Sequence, residues 1–126
     1  MVDVDRQVAH WGAGAQEDWG VAVELIERRR IRHGLFFAQL AIEKALKAHV
    51  CRRTQDLAPR VHNLVRLAEL AGLQPDESQL STLAALNAFS QAGRYPDAVG
   101  PLPTPEEADA YLRRAQEVFQ WLMTAS

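Results

Sequence analysis

Residues 34–50 read Gly-Leu-Phe-Phe-Ala-Gln-Leu-Ala-Ile-Glu-Lys-Ala-Leu-Lys-Ala-His-Val. The run holds no proline, its one glycine stands first, and Ala, Leu, Lys, Glu and Gln dominate it, all good helix formers. On a wheel turning about 100° per residue, Gly34, Ala38, Ala41, Ala45 and Ala48 fall side by side, with Leu35, Ile42 and Leu46 next to them. Small side chains in a row let another helix backbone come close, so this half is expected to be the central contact of a bundle. The other half mixes Gln39, Glu43, Lys44 and Lys47 with Phe36, Leu40 and Val50. A plainly solvated face would not carry large apolar residues between its charges. Gln39, Glu43 and Lys47, one turn apart, are therefore expected to line a crevice or a subunit interface. The segment reads as a buried spine.

Helical signals continue on both sides of it. Val8, Trp11, Ala15, Trp19, Ala22 and Ile26 recur at three- and four-residue steps and predict a first helix from residue 5 to about 30, with a bend or fraying at Gly12 and Gly14. It ends in Glu27-Arg28-Arg29-Arg30-Ile31-Arg32, which reads either as a charged cap on the helix C-terminus or as a phosphate-binding patch. His33-Gly34 is expected to break the chain before the spine, which runs to about Arg52. Ala58-Pro59 closes a loop over 53–61. A short third helix is predicted from His62 or Asn63 to Ala71, stopped by Gly72. Asp76 with Gln79 resembles a capping pair for a fourth helix, reaching about Ala92 with Leu80, Leu83, Ala84 and Asn87 along one face. The segment 93–105, with two glycines and four prolines, predicts an extended connector. Thr104-Pro105-Glu106-Glu107 is a strong helix start, and Ala108, Leu112, Ala115, Phe119 and Leu122 mark the inner face of a last helix to about Met123. No strand signal or repeat interrupts the pattern. The fold class is all-α, an up-and-down bundle of four to five helices forming one domain over residues 1–126.

Composition narrows the functional classes. A chain of 126 residues is long enough for one core, and a net charge of −2 argues against nucleic-acid binding through bulk charge while allowing a local basic patch. The single cysteine, Cys51, can make no internal disulfide, which fits a reducing cytoplasm. His10, His33, His49 and His62 show no metal-ligand spacing, so neither metal nor cofactor is expected. No signal-peptide core and no apolar run near the length of a membrane span are present, so a soluble cytoplasmic protein is expected.

Four places can carry chemistry. His62 reads as a local tie at the start of the third helix, or as a general base or phosphate ligand. Arg94 offers a rigid fork for phosphate or carboxylate, and Tyr95 a face on which a base can stack; both also suit loop packing. Lys44 and Lys47 read as solvated lysines or, for Lys47, as a crevice cation fixed by Glu43. Trp11, Trp19 and Trp121 are expected to anchor the core or an interface. A Gly-rich phosphate loop, a Walker lysine, paired metal-binding aspartates and a Ser–His or Cys–His arrangement are all missing.

Phe37-Ala38-Gln39-Leu40-Ala41-Ile42-Glu43-Lys44-Ala45-Leu46-Lys47-Ala48 resembles the second helix of HEPN domains. His62-Asn63-Leu64, opening the next helix, and Arg94-Tyr95-Pro96-Asp97, in a later loop, fit the same family in the same order. The likeness runs from about Trp19 to Leu122. It implies a helical bundle that forms a homodimer or higher homo-oligomer, often as one half of a two-component toxin–antitoxin pair encoded beside a small nucleotidyltransferase. Ribonuclease members carry Arg, four to six residues, then His on a later helix. Here no histidine follows His62, and the Arg28–His33 match lies between the first two helices. The likeness is therefore to the Arg-Tyr-Pro-Asp branch, which implies nucleotide or RNA binding with no catalytic residue. Arg94, Tyr95, Lys47, Lys44, Glu43, Gln39 and His62 are the binding candidates. Two other readings stand beside it: a metal-independent endoribonuclease toxin using His62 or His33 with Arg94 or Arg28, and a purely structural protein-interaction partner.

Overall fold

The computed structural model describes residues 1–94 and 101–125, the side chains of 91–94 excepted. It contains five helices: α1 (Val4–Glu27), α2 (Ile31–Thr54), α3 (Leu64–Leu70), α4 (Glu77–Arg94) and α5 (Pro105–Thr124). No strand occurs among the described residues, and no helix there is long and apolar enough to cross a membrane. Helix α2 touches all four others and is the spine. Leu35, Ala38, Ala41, Ile42, Ala45, Leu46 and Ala48 are all buried, as the small-residue face requires.

Residue pairs fix the directions of the helices. Ile26 meets Gly34, and Asp18 meets Lys44, so α1 runs antiparallel to α2. His49 bonds to the Leu122 carbonyl near the ends of both helices, so α5 runs parallel to α2. His62 lies beside Glu43, and the Arg53 guanidinium lies against Gly72, so α3 also runs parallel to α2. Phe89 packs edge-on to Tyr111, and Arg114 bonds Ser81, so α4 descends against α5. Segment 55–63 runs back beside α2 and returns the chain to its middle.

The helix ends follow the capping chemistry of the sequence. Asn63 caps α3 through Arg66 N, and Gly72, at φ +70°, provides the left-handed exit that a side chain would strain. Asp76 and Gln79 exchange two bonds at the head of α4. Thr104 and Glu107 form a full capping box on α5.

Several expectations need correction. The α1–α2 break falls at Arg28–Arg30, not at His33-Gly34, because Arg29 itself takes the left-handed conformation (φ 61°) and Arg30 N bonds back to Leu25 O at 2.8 Å. Helix α1 continues through Gly12 and Gly14. Arg28 pairs with Glu24 and Arg29 with Asp109 on α5, so the basic cluster follows the last turn of α1 and half of it is tied to carboxylates. On α4 the inner face holds Thr82, Leu83 and Leu86, while Leu80 and Ala84 face outward. Helix α4 continues past Ala92 to Arg94.

The glycines separate by what surrounds them. A Cβ on Gly34 would lie 2.5 Å from Ile26 Cδ1 and 3.2 Å from the Ile26 backbone nitrogen. Gly34→Ala is thus expected to destabilise by about 1–3 kcal/mol despite better helix propensity. A Cβ on Gly12 or Gly20 would meet nothing within 4 Å. Gly12→Ala and Gly20→Ala are expected to stabilise by roughly 0.5–1 kcal/mol each. Urea midpoints decide the matter; a neutral Gly34→Ala would show that α1 can shift away from α2.

Candidate functional site

Gln39, Glu43 and Lys47 on the polar half of α2 are buried as deeply as its apolar half, whereas Phe36, Leu40 and Lys44 are half-buried. Gln39 is 0% exposed, Glu43 3% and Lys47 6%. Their four-residue spacing stacks them on one stripe, and the Glu43 carboxylate gathers the bonds. Gln39 Nε2 donates to Glu43 Oε1 at 2.9 Å, and Lys47 Nζ donates to Oε2 at 3.1 Å. From across segment 55–63, His62 Nδ1 approaches the same Oε2 at 3.0 Å. Helix α1 adds the Trp11 ring, 5.2 Å from the Lys47 ammonium.

Burial pushes the Glu43 carboxyl up, but the bonds from His62, Gln39 and Lys47 and the Lys47 charge pull it down further. The net result is a carboxyl held below its ordinary value of 4.5 and ionised at neutral pH. The imidazole differs from its partners: the His62 side chain is 57% exposed. The stripe thus runs from a dry interior, with Lys47 under Trp11, to an imidazole facing solvent.

The sequence-predicted residues divide into three groups. Gln39, Glu43, Lys47 and His62 come together in one constellation. Lys44, about 100° further round the helix, turns to α1 and meets Asp18 at 2.7 Å. Its stem lies over Gly14, where a Cβ would stand 3.2 Å from Lys44 Cδ. The Arg94 side chain and all of Tyr95 lie outside the described residues. Arg94 ends α4 seven residues beyond Asn87, whose amide oxygen accepts from Leu64 N, next to His62-Asn63. Seven helical residues span about 10 Å, the distance along the axis from that contact to Arg94.

The sequence reading passed over Asp18 and gave Asn87 and His49 no partner. Asp18 had a signal: it falls on the same stripe as Trp11, Ala15, Ala22 and Ile26, where a carboxylate demands a partner. The two others bond to backbone far away in the chain, Asn87 to Leu64 and His49 to Leu122, and no local pattern marks that. Among the described residues three buried polar atoms lack a hydrogen bond: Gln39 Oε1, Trp11 Nε1, and Asp18 Oδ2, which is ion-paired to Lys44. Among the described residues no cluster of His, Cys, Asp or Glu could hold a metal ion.

The comparisons agree with this architecture. A model of the HEPN domain family matches residues 8–125. This chain belongs to the HEPN domain family. An archaeal HEPN homologue, ST0689, has a similar fold, with a TM-score of 0.72 and 21% identity over 92% of this chain and 94% of that one. TT1696 from Thermus thermophilus is similar with a TM-score of 0.75 and 25% identity, covering 93% of this chain and 96% of the other. No curated protein matches.

The burial of the stripe sets its energetics. Glu43→Leu leaves the Lys47 ammonium buried without its carboxylate and is expected to cost about 3–5 kcal/mol, whereas Glu43→Leu with Lys47→Met should fall within about 1–2 kcal/mol of wild type. The carboxyl is lowered on folding, so its stabilisation is complete above the ordinary value of 4.5 and is lost as pH falls through the depressed folded value. The stability gap between wild type and Glu43→Gln should therefore narrow in acid. Urea titrations at neutral and acid pH test this: a pH-independent gap would mean that folding leaves the Glu43 carboxyl unshifted, and a gap that widens in acid would mean that it is raised.

Proposed function

We propose that this chain is a nucleotide- or RNA-binding module, working beside a minimal nucleotidyltransferase in a two-component pair of the toxin–antitoxin type. The family membership supports the general class, because HEPN domains typically pair with nucleotidyltransferases. The likeness of Arg94-Tyr95-Pro96-Asp97 to the binding branch supports the finer one. The observation that carries the reading is the constellation on α2. A buried carboxylate with three donors holds an exposed imidazole, His62, at the solvent end of a polar stripe. Buried ion pairs contribute little net stability, so such an arrangement is better explained by a ligand than by packing.

In this reading Arg94 holds phosphate, Tyr95 stacks a base, and His62, fixed by Glu43, meets the ligand's polar edge. Gln39 and Lys47 keep Glu43 in place, and Lys44 braces α2 against Asp18 of α1 as a strut rather than a ligand. The whole chain acts as one domain. Half-buried Phe36, Phe37 and Leu40 on the outer side of α2 suit a homodimer contact.

Calorimetric titration with ATP tests the reading. Wild type should give saturable heat, and Arg94→Ala should lose it while circular dichroism stays unchanged. Heat that persists in Arg94→Ala would move the site away from that loop. No heat at millimolar ATP would remove the small-nucleotide reading, leaving RNA or the protein partner as the ligand.

A further inference from the structure

Helices α2, α3 and α5 end at one pole, and two adjoining hollows open there. The first, about 100 Å³, lies between α1, α2 and the end of α5 and is lined by Val8, Gly12, Ala45, Ala48, Leu122 and Met123. A Cβ on Gly12 would meet nothing within 4 Å, so α1 presents bare backbone to open space at this wall. The second, about 310 Å³, lies between the last turn of α2 and the exit of α3, with Arg52 and Arg53 on one side and Ala71, Gly72 and Leu73 on the other. His49 and Arg52 line both hollows. His49 is buried and fixed there by the bond of its Nε2 to the Leu122 carbonyl, at 2.7 Å.

The second hollow holds cations without anions. Unlike Arg28, Arg29 and Arg66, neither Arg52 nor Arg53 is tied to a carboxylate among the described residues. Arg53 is also held in place, because its guanidinium lies so close against Gly72 that a Cβ there would overlap it. A guanidinium offers a planar fork that matches a carboxylate. Two full positive charges stand here against roughly half a negative charge at each of three helix ends, a balance that suits one added negative charge better than two. The apolar hollow sets the rest of the ligand. At about 30 Å³ for each water-sized group, it holds roughly three carbons.

We propose that this pole binds a small aliphatic carboxylate of about four carbons, its head on Arg52 and Arg53 and its tail against Ala45, Ala48 and Leu122. Arg52 lines both hollows, so an anion on it stands at the mouth of the apolar one. The site lies apart from the Glu43 constellation and does not rest on the nucleotide or RNA reading.

The test is a titration of the full chain, followed by amide NMR at fixed ionic strength, with sodium acetate, butyrate and phosphate and with butylammonium chloride. Butyrate should saturate and shift the amides around His49, Arg52 and Gly72. Two further methylenes in the hollow should tighten it roughly 10-fold over acetate. Butylammonium, with a similar tail and the opposite charge, should leave those amides unmoved. Arg52→Gln, at an exposed position, should weaken butyrate roughly 10-fold. Gly12→Leu places a side chain in the apolar hollow and should remove the advantage of butyrate over acetate while acetate still binds. If Gly12→Leu fails to fold, the chain-length comparison and Arg52→Gln decide. Equal binding of acetate and butyrate, tighter binding of phosphate, shifts spread evenly over the surface arginines, or no saturation at tens of millimolar overturns the site. A failed ATP titration would leave it untouched, because the two sites share no residue.

Discussion

The Glu43 carboxylate is buried on the helix that touches all four others, and much of the bundle is arranged to keep it charged. Removing an ion from water costs several kcal/mol unless charge and hydrogen bonds are returned to it. Here they come from above and below on the same helix, through Lys47 and Gln39, and from across the bundle, through His62. Each donor imposes a placement. Lys47 requires a cover, which Trp11 supplies from α1. His62 requires the chain to return to the middle of α2 before α3 begins, and that is the course of segment 55–63.

The second charged pair on the spine serves the other seam. Lys44 and Asp18 neutralise each other between α1 and α2, and Gly14 leaves room for the lysine stem. Further along the seam, Gly34 lets Ile26 press directly on the α2 backbone. Apolar contact at one end and a charge pair in the middle hold α1 in register. The parallel course of α2, α3 and α5 also gathers three helix C-termini at one pole, and His49, Arg52 and Arg53 stand there. The charges of Arg52 and Arg53 and the bond of His49 to the Leu122 carbonyl offset the partial negative charge of those ends.

These constraints give the molecule two distinct polar regions. The pole with His49, Arg52 and Arg53 closes the bundle, with His49 on the Leu122 carbonyl and the two arginines in the last turn of α2, where cations suit the helix dipole. The stripe from Lys47 to His62 ends at solvent with an imidazole nitrogen that answers nothing in the described chain. A buried carboxylate held by Lys47 and Gln39 on the inside, in a network open at its outer end, has the form of a site rather than of a core.

The sequence by itself determined the all-α class with four to five helices, the spine, and the caps that open the last two helices. Period, propensity and capping act within a few residues of one another, so Asp76 with Gln79, and Thr104 with Glu107, were legible where they stand. It also marked Gln39, Glu43 and Lys47 as one stripe, because four-residue spacing is enough for that. It misplaced the α1–α2 break, because an arginine rather than the glycine took the left-handed turn. On α4 it placed Leu83 and Asn87 correctly on one face but set Leu80 and Ala84 beside them, where Thr82 and Leu86 meet the core instead. Only the tertiary structure decided that the stripe is buried, that Lys44 belongs to Asp18, and that His62 belongs to Glu43, 19 residues away. The reason is physical. A helix wheel orders side chains around one axis, but burial and charge pairing depend on which other axis comes to lie beside it.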